Sequence, residues 1–195
     1  MLLGDLVCEH QRSLTILVLS ALLVCTATRT ATAQNISNQV PSSSCPITRP
    51  PSPPHVPPPP YPSELGDGFW FGSEKLWTHL PANGTWSLGH HDPTGSAFRE
   101  KLFWYHKGFD PKEELEPRMI VTGKRLDAPA PSLGVDGPSG AWSPENPADS
   151  FMVVALNIPT TGCWEITGQY AEDELSFVVW VQDGSQSVLS GSGSQ

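Results

Sequence analysis

Gly162-Cys163-Trp164-Glu165-Ile166-Thr167-Gly168-Gln169-Tyr170 leads through Ala171-Glu172-Asp173-Glu174 into Leu175-Ser176-Phe177-Val178-Val179-Trp180-Val181. The period of these two runs decides the fold class. From Cys163 to Tyr170, one face holds Trp164, Ile166, Gly168 and Tyr170, and the other holds Cys163, Glu165, Thr167 and Gln169. From Leu175 to Val181, one face holds Leu175, Phe177, Val179 and Val181. A two-residue period is that of a strand, because successive side chains point to opposite sides. With an acidic turn over Ala171 to Glu174 between them, the runs predict an antiparallel hairpin with one buried face.

Working back from this hairpin, the same signature recurs. Phe151 to Ile158 is apolar on both faces and predicts a central strand. Arg118 to Leu126 predicts a strand with Gly123 as a bulge, and Glu100 to His106 alternates Leu102, Trp104 and His106 against Lys101, Phe103 and Tyr105. Lys75 to Leu80 and Thr85 to Leu88 flank Pro81-Ala82-Asn83-Gly84. Asn-Gly tolerates positive φ at both positions, so this stretch predicts a hairpin. Residues 128 to 149 read as a long Pro/Gly/Ser loop, and Pro111 to Leu115 as one short helix opened by proline. About seven short strands without a long helical period predict an all-β, immunoglobulin-like antiparallel β-sandwich over residues 65 to 183.

The flanks differ in character. Leu14 to Val24 is apolar, Arg12 precedes it, and Ala31-Thr32-Ala33 stands before Gln34. This is the three-part pattern of a secretory signal peptide over residues 1–33. The alternative is an uncleaved anchor, against which the shortness of the apolar run argues. Asp5 and Glu9 oppose Arg12, as a translation start further downstream would explain, and Val24 is too large for a lipidated Cys25. Residues 34–64 form a polar, then Pro-rich tail: positions 41 to 62 hold 11 of the 21 prolines. Proline fixes φ and removes a donor, so the segment reads as extended polyproline II and as a spacer. Residues 184–195 are a Gly/Ser tail of disordered composition.

Cleavage after Ala33 removes Cys8 and Cys25 and leaves Cys45 and Cys163. An even count in an oxidising compartment predicts one disulfide between them, with two unpaired buried thiols as the alternative. Neither Cys has a second ligand at metal spacing. With a bridge at Cys45, the Pro run becomes a strap folded back along the domain.

The 195 residues carry 11 Lys+Arg against 20 Asp+Glu, a net charge of -9. That balance excludes the basic footprint needed for nucleic acid or anionic lipid headgroups. Seven Trp, seven Phe and three Tyr exclude a wholly disordered chain.

Cys45-Pro46-Ile47-Thr48, Leu76-Trp77, Gly123-Lys124-Arg125-Leu126-Asp127-Ala128-Pro129-Ala130-Pro131, and the pair Gly162-Cys163-Trp164-Glu165-Ile166-Thr167-Gly168 and Leu175-Ser176-Phe177-Val178-Val179 form a set. In that set the chain resembles a group of uncharacterised secreted bacterial proteins with a CPVT-like start, a GxRLDxPAP stretch and a C-terminal GCWEVTG…LxFVV hairpin. The resemblance spans most of residues 45 to 181. It implies a shared fold, export and the Cys45–Cys163 bridge, and it transfers no activity.

Candidate chemistry is sparse. His90-His91-Asp92, with His79 and His106, has ligand types suited to zinc or copper, but neighbouring strand residues point apart, so a site there needs a loop. Gly-x-Ser-x-Gly is absent from the sequence. Glu113, Glu114 and Glu116 read as a solvated face. Glu165 is a carboxylate beside Cys163 and Trp164 that lacks an identifiable acid–base partner. Trp70, Trp77, Trp86, Trp104, Tyr105 and Trp142 exceed the needs of a small core; the bland reading, which we favour, makes most of them core or cover for loops, and the functional one exposes some as a stacking platform for sugar or peptide. The expectation is an exported, non-catalytic, monomeric module of the cell envelope or extracellular space. It would bind a glycan or protein, with no cofactor and no membrane span after signal cleavage. The alternative is an envelope enzyme or metal-binding protein using His90, His91 or Glu165.

Overall fold

The computed structural model describes residues 44–64, 66–89, 95–146 and 150–184. The segment read as a signal peptide (residues 1–33), His90 and His91, and all of the Gly/Ser tail beyond Gly184 lie outside these residues. The described part is all-β, with nine strands: β1 (Gly68–Gly72), β2 (Leu76–Pro81), β3 (Thr85–Leu88), β4 (Phe98–His106), β5 (Ile120–Arg125), β6 (Gly134–Ala141), β7 (Phe151–Ile158), β8 (Gly162–Tyr170) and β9 (Asp173–Asp183). One sheet runs β1-β2-β4-β7-β6 and the other β3-β9-β8-β5. Setting β1 and β3 aside, β2-β4-β7-β6 and β5-β8-β9 reproduce the ABED and CFG orders of an immunoglobulin-type sandwich.

The expected hairpin is β8–β9, in register from Gly162↔Val181 to Tyr170↔Asp173. Its turn is tighter than the sequence suggested. Ala171 and Glu172 alone connect the strands, and Ala171 takes φ 54°, as the first central residue of a two-residue hairpin must. Trp164, Ile166, Phe177 and Val179 are buried together with Trp104, Met152, Val154 and Leu156 between the sheets. The second face of β9 is buried too: Val178 and Trp180 pack with Cys163 beneath Cys45 and Ile47. Gly168 lets the sheets close, since a Cβ there would stand 2.4 Å from Trp104 Cη2 and 2.5 Å from Met119 Cε.

Four local expectations are corrected. Asn83–Gly84 is not a hairpin turn. It is the corner at which the chain leaves one sheet for the other: β2 pairs with β1 and β4, while β3 pairs in parallel with β9. Gly84 takes φ 67° there, and Asn83 Oδ1 accepts the Thr85 N–H at 2.9 Å. Gly123 is not a bulge, since β5 pairs with β8 without interruption. It is glycine because a Cβ would meet Leu133 Cδ2 at 2.8 Å and Ile166 Cδ1 at 3.0 Å. The irregular strand is β6, inside the expected loop, with its register shift between Asp136 and Ser139. Gly137 and Pro138 fall in that shift, where an edge strand tolerates a missing donor. Pro111 to Leu115 makes only one turn, with Asp110 O accepting Glu113 N at 3.1 Å and Glu114 N at 3.0 Å.

The bridge Cys45–Cys163 is formed, with Cα atoms 5.7 Å apart. It turns the Pro-rich segment into a strap rather than a spacer. On the four-stranded sheet, Thr48 N donates to Val178 O at 2.9 Å, and Thr48 Oγ1 accepts Val178 N at 2.8 Å. The strap then crosses to the outer face of the five-stranded sheet. There Tyr61 lies edge-on to Trp77 and to Tyr105, with ring centroids 5.4 Å and 5.2 Å away. Among the described residues no helix is long and apolar enough to cross a membrane.

Candidate functional site

Among the described residues, the sequence-predicted site residues do not converge. Trp86 (8% exposed) and Trp104 (0%) fill the core between the sheets, and Trp70 (3%) and Trp77 (0%) lie under the strap. These four therefore form no exposed platform. Large aromatic area is the most favourable surface to bury, and the strap roofs those indoles that the core does not take. Trp142 alone of the five stays open, at 42%. Glu165 is committed elsewhere: its Oε2 pairs with Lys124 Nζ at 2.8 Å, directly across the β5–β8 ladder. No group of three or more His, Cys, Asp or Glu able to hold a metal occurs among the described residues.

The specific RLD and GCW motifs meet at one corner and explain each other. Arg125 places Nε 2.6 Å and Nη2 3.4 Å from the two carboxylate oxygens of Asp127, and Nη1 3.4 Å from Thr160 Oγ1. A Cβ on Gly162 would stand 2.6 Å from Arg125 Nε, so only glycine lets the guanidinium lie flat on the strand. Leu126 N donates to Cys163 O at 2.8 Å. Burial pushes the Asp127 carboxyl up, but the Arg125 guanidinium and the Cys163 N–H outweigh it and hold it below the usual range. This lock sets the start of β8, and with it Cys163.

The open chemistry lies at the other end of the hairpin, where a cleft of about 320 Å3 is lined by Glu114, Arg118, Tyr170 and Ala171. Two segments build it, the β4–β5 connection and the end of β8. The turn after Asp110 carries Glu114 and is pinned to β6 by Gly140 N donating to Leu115 O at 2.7 Å. The end of β8 supplies Tyr170, whose hydroxyl donates to Glu114 Oε2 at 2.5 Å. The other carboxylate oxygen accepts Arg118 N at 2.9 Å. Burial and then the Glu114 carboxylate push the Tyr170 hydroxyl up to about 12. Tyr170 and Arg118 in turn hold Glu114 below the usual carboxylate range, so it is an anion at neutral pH.

Behind Tyr170 stands a second polar shelf. His106 packs its ring 4.8 Å from the Tyr170 ring. Gly108 N donates to His106 Nδ1 at 3.0 Å, so the proton sits on Nε2, which donates to Asp173 Oδ2 at 3.1 Å. Lys75 Nζ lies 3.5 Å from the other Asp173 oxygen. The His106 and Lys75 contacts hold the Asp173 carboxyl down. On the outer side, Lys112 Nζ sits 5.2 Å over the Trp142 ring, and Leu115 is 62% exposed.

Sequence reading assigned Glu114 to a solvated face and Tyr170 to the hairpin core. The signal that could have joined them is the excess of one polar tip on an otherwise apolar face: a tyrosine at the end of a buried stripe needs an acceptor. Ala171 gave no such signal. Its positive φ is a departure of the kind that clusters at binding sites. Comparison with protein-family models, with curated proteins and with solved structures gives no match.

Proposed function

We propose that this chain is an exported, non-catalytic binding or structural module of the cell envelope or extracellular space, and that it takes its ligand at the Glu114–Arg118–Tyr170 cleft. The observation that carries the reading is the cleft itself. A preorganised anion and an Arg118 side chain 96% exposed to solvent line the cleft, and Lys112 of the same turn sits over the part-exposed ring of Trp142 outside it. Donors, acceptors and an aromatic face together are the equipment for a polyhydroxylated or peptide ligand, and glycan is the class we favour. The disulfide supports export, because such bridges persist in oxidising compartments. The leader pattern over residues 1–33 and the resemblance to secreted bacterial proteins point the same way. Solution retention of the purified chain on peptidoglycan and on soluble glycans tests the reading. Trp142→Ala and Arg118→Ala should each weaken retention several-fold while the melting temperature holds. Retention that is absent in the wild type, or as strong in both variants as in the wild type, refutes the assignment of this cleft.

A further inference from the structure

A sheet edge is an unfinished ladder, and the two sheets present four edges: β1 and β6, β3 and β5. Three of these are blunted, as exposed edges usually are. β3 is four residues long, and β1 starts and ends on glycine. β6 breaks register between Asp136 and Ser139, and its Gly140 N–H is taken by Leu115 O at 2.7 Å. β5 is different. It runs six residues without interruption along β8, and among the described residues no strand lies on its other side. The bond from Leu126 N to Cys163 O continues that register. Lys124, Thr122 and Ile120 therefore turn their backbone groups toward β8, while Val121, Gly123 and Arg125 turn theirs out from the sheet edge. The charge that commonly guards such an edge is neutralised, since Lys124 Nζ lies 2.8 Å from Glu165 Oε2. By the alternation of the strand, Ile120 and Leu126 share one face, and they are 58% and 39% exposed.

We propose that the free edge of β5 is an interaction surface whose partner is β5 of a second copy, joined antiparallel about a two-fold axis at Gly123. The contact is a weak dimer, in place of the monomer expected from sequence. The register follows from the strand itself. Only an axis at Gly123 maps Val121, Gly123 and Arg125 onto one another, so that every outward N–H of each copy meets an outward C=O of its partner. An axis at Lys124 or Arg125 would set like charges face to face, and one at Val121 or Thr122 would leave Arg125 outside the match. The axis at Gly123 places Ile120 opposite the partner's Leu126, so each copy covers the apolar side chains that the other leaves open. It places Lys124 opposite the partner's Thr122, with no like charges paired. A foreign extended peptide could satisfy the same backbone groups. The match of both exposed side chains is a property of this strand against itself.

The test is sedimentation velocity and amide hydrogen exchange of the purified chain from about 10 μM to about 1 mM, the range in which a small, weak interface fills. The sedimenting mass should rise toward that of a dimer. Over the same range, exchange at Val121, Gly123 and Arg125 should slow several-fold, while Thr122 and Lys124, already bonded to β8, should not change. Ile120→Lys should weaken association about tenfold, because the two-fold axis counts the lost pair twice. Ile120→Lys with Leu126→Glu sets opposite charges across the same two positions and should restore association, whereas Ile120→Lys with Leu126→Lys should abolish it. These positions are exposed, and the melting temperature reports that each variant is folded. A chain that stays monomeric across the whole range overturns the proposal and passes the edge to a foreign strand. A dimer that protects other amides, or protects Thr122 and Lys124 as much as Val121 and Gly123, overturns it as well. So does association that Leu126→Glu fails to restore in the Ile120→Lys chain.

Discussion

Tyr170→Phe deletes one hydroxyl and leaves the ring packing of Tyr170 on His106 and Phe109 in place, so no cavity contributes to its cost. Two considerations bound the magnitude. A hydrogen bond to a charged acceptor contributes about 1.5–3 kcal/mol. The hydroxyl raised from 10.0 to about 12 on folding, first by burial and then by Glu114, sets a ceiling of about 2.7 kcal/mol on what alkaline titration can remove, of which the Glu114 bond is a part. Water reaches one side of Glu114, whose side chain is 27% exposed, and screening lowers the figure to about 2 kcal/mol. The sign follows from the raised value. Below pH 10 both folded and unfolded chains keep the phenolic proton, and the stabilisation is fully present. As pH climbs from 10 to about 12 the unfolded chain loses its proton first, and the stabilisation disappears. Urea unfolding at a series of pH values should therefore show the wild type about 2 kcal/mol above Tyr170→Phe at pH 7, with the gap closing across the alkaline window. Glu114→Gln keeps an acceptor but removes the charge, and should let the tyrosine titrate lower, though burial still holds it above 10. A gap under about 0.5 kcal/mol at pH 7, or parallel curves through the alkaline range, would refute the Tyr170–Glu114 pairing.

Further outcomes follow from the same geometry. Phe177 is 2% exposed between Trp86 and Trp104, so Phe177→Ala should cost about 3–5 kcal/mol in urea unfolding. The bridge closes 118 sequence positions, for which chain entropy gives about 4–5 kcal/mol. Adding reductant, or Cys45→Ala, should lower stability by about 2–5 kcal/mol, read from the denaturation midpoint. Ala171→Gly should raise stability by about 0.5–1 kcal/mol, since relief of a left-handed L-residue slightly exceeds the entropy cost of glycine. Asp127 titrates below its ordinary value, so its contribution is present above about pH 4 and lost as pH falls further. Asp127→Asn should thus cost about 1.5–3 kcal/mol at pH 7, and progressively less in acid.

The parts legible in sequence were those where local pattern and tertiary environment agree. Strands β8 and β9 announced their buried face because one side of each meets the core, and β7 read as central because both its faces are covered. Strand β6 was illegible for the opposite reason. Gly134–Ala141 has no apolar alternation, and it is a strand only because β7 offers it a free edge. Asn83–Gly84 carried a sound turn signal, yet backbone preference for positive φ does not say whether the chain returns to the same sheet. Four of the five tryptophans are core or cover, as the favoured reading had them, but composition could not say which: a Pro-rich tail that docks adds a second apolar surface that the domain itself does not encode. The cleft was out of reach because Glu114 and Tyr170 stand 56 positions apart, and only the β4–β5 connection brings them together.

The disulfide has a mechanical consequence. Cys163 pairs across the ladder with Trp180, close to the end of β9 at Asp183. Tension applied to the two flanking tails therefore enters at Cys45, jumps through sulfur to Cys163, and leaves by way of β8 and β9. Everything between Cys45 and Cys163 is off the tensile path. Contour length on the order of 400 Å is locked away, at about 3.4 Å for each of the 118 positions. A pulled chain can lengthen only through its C-terminal hairpin and its tails, so the strap, the indoles beneath it and the sheet-switching corner at Gly84 bear no direct tension while the bridge is intact.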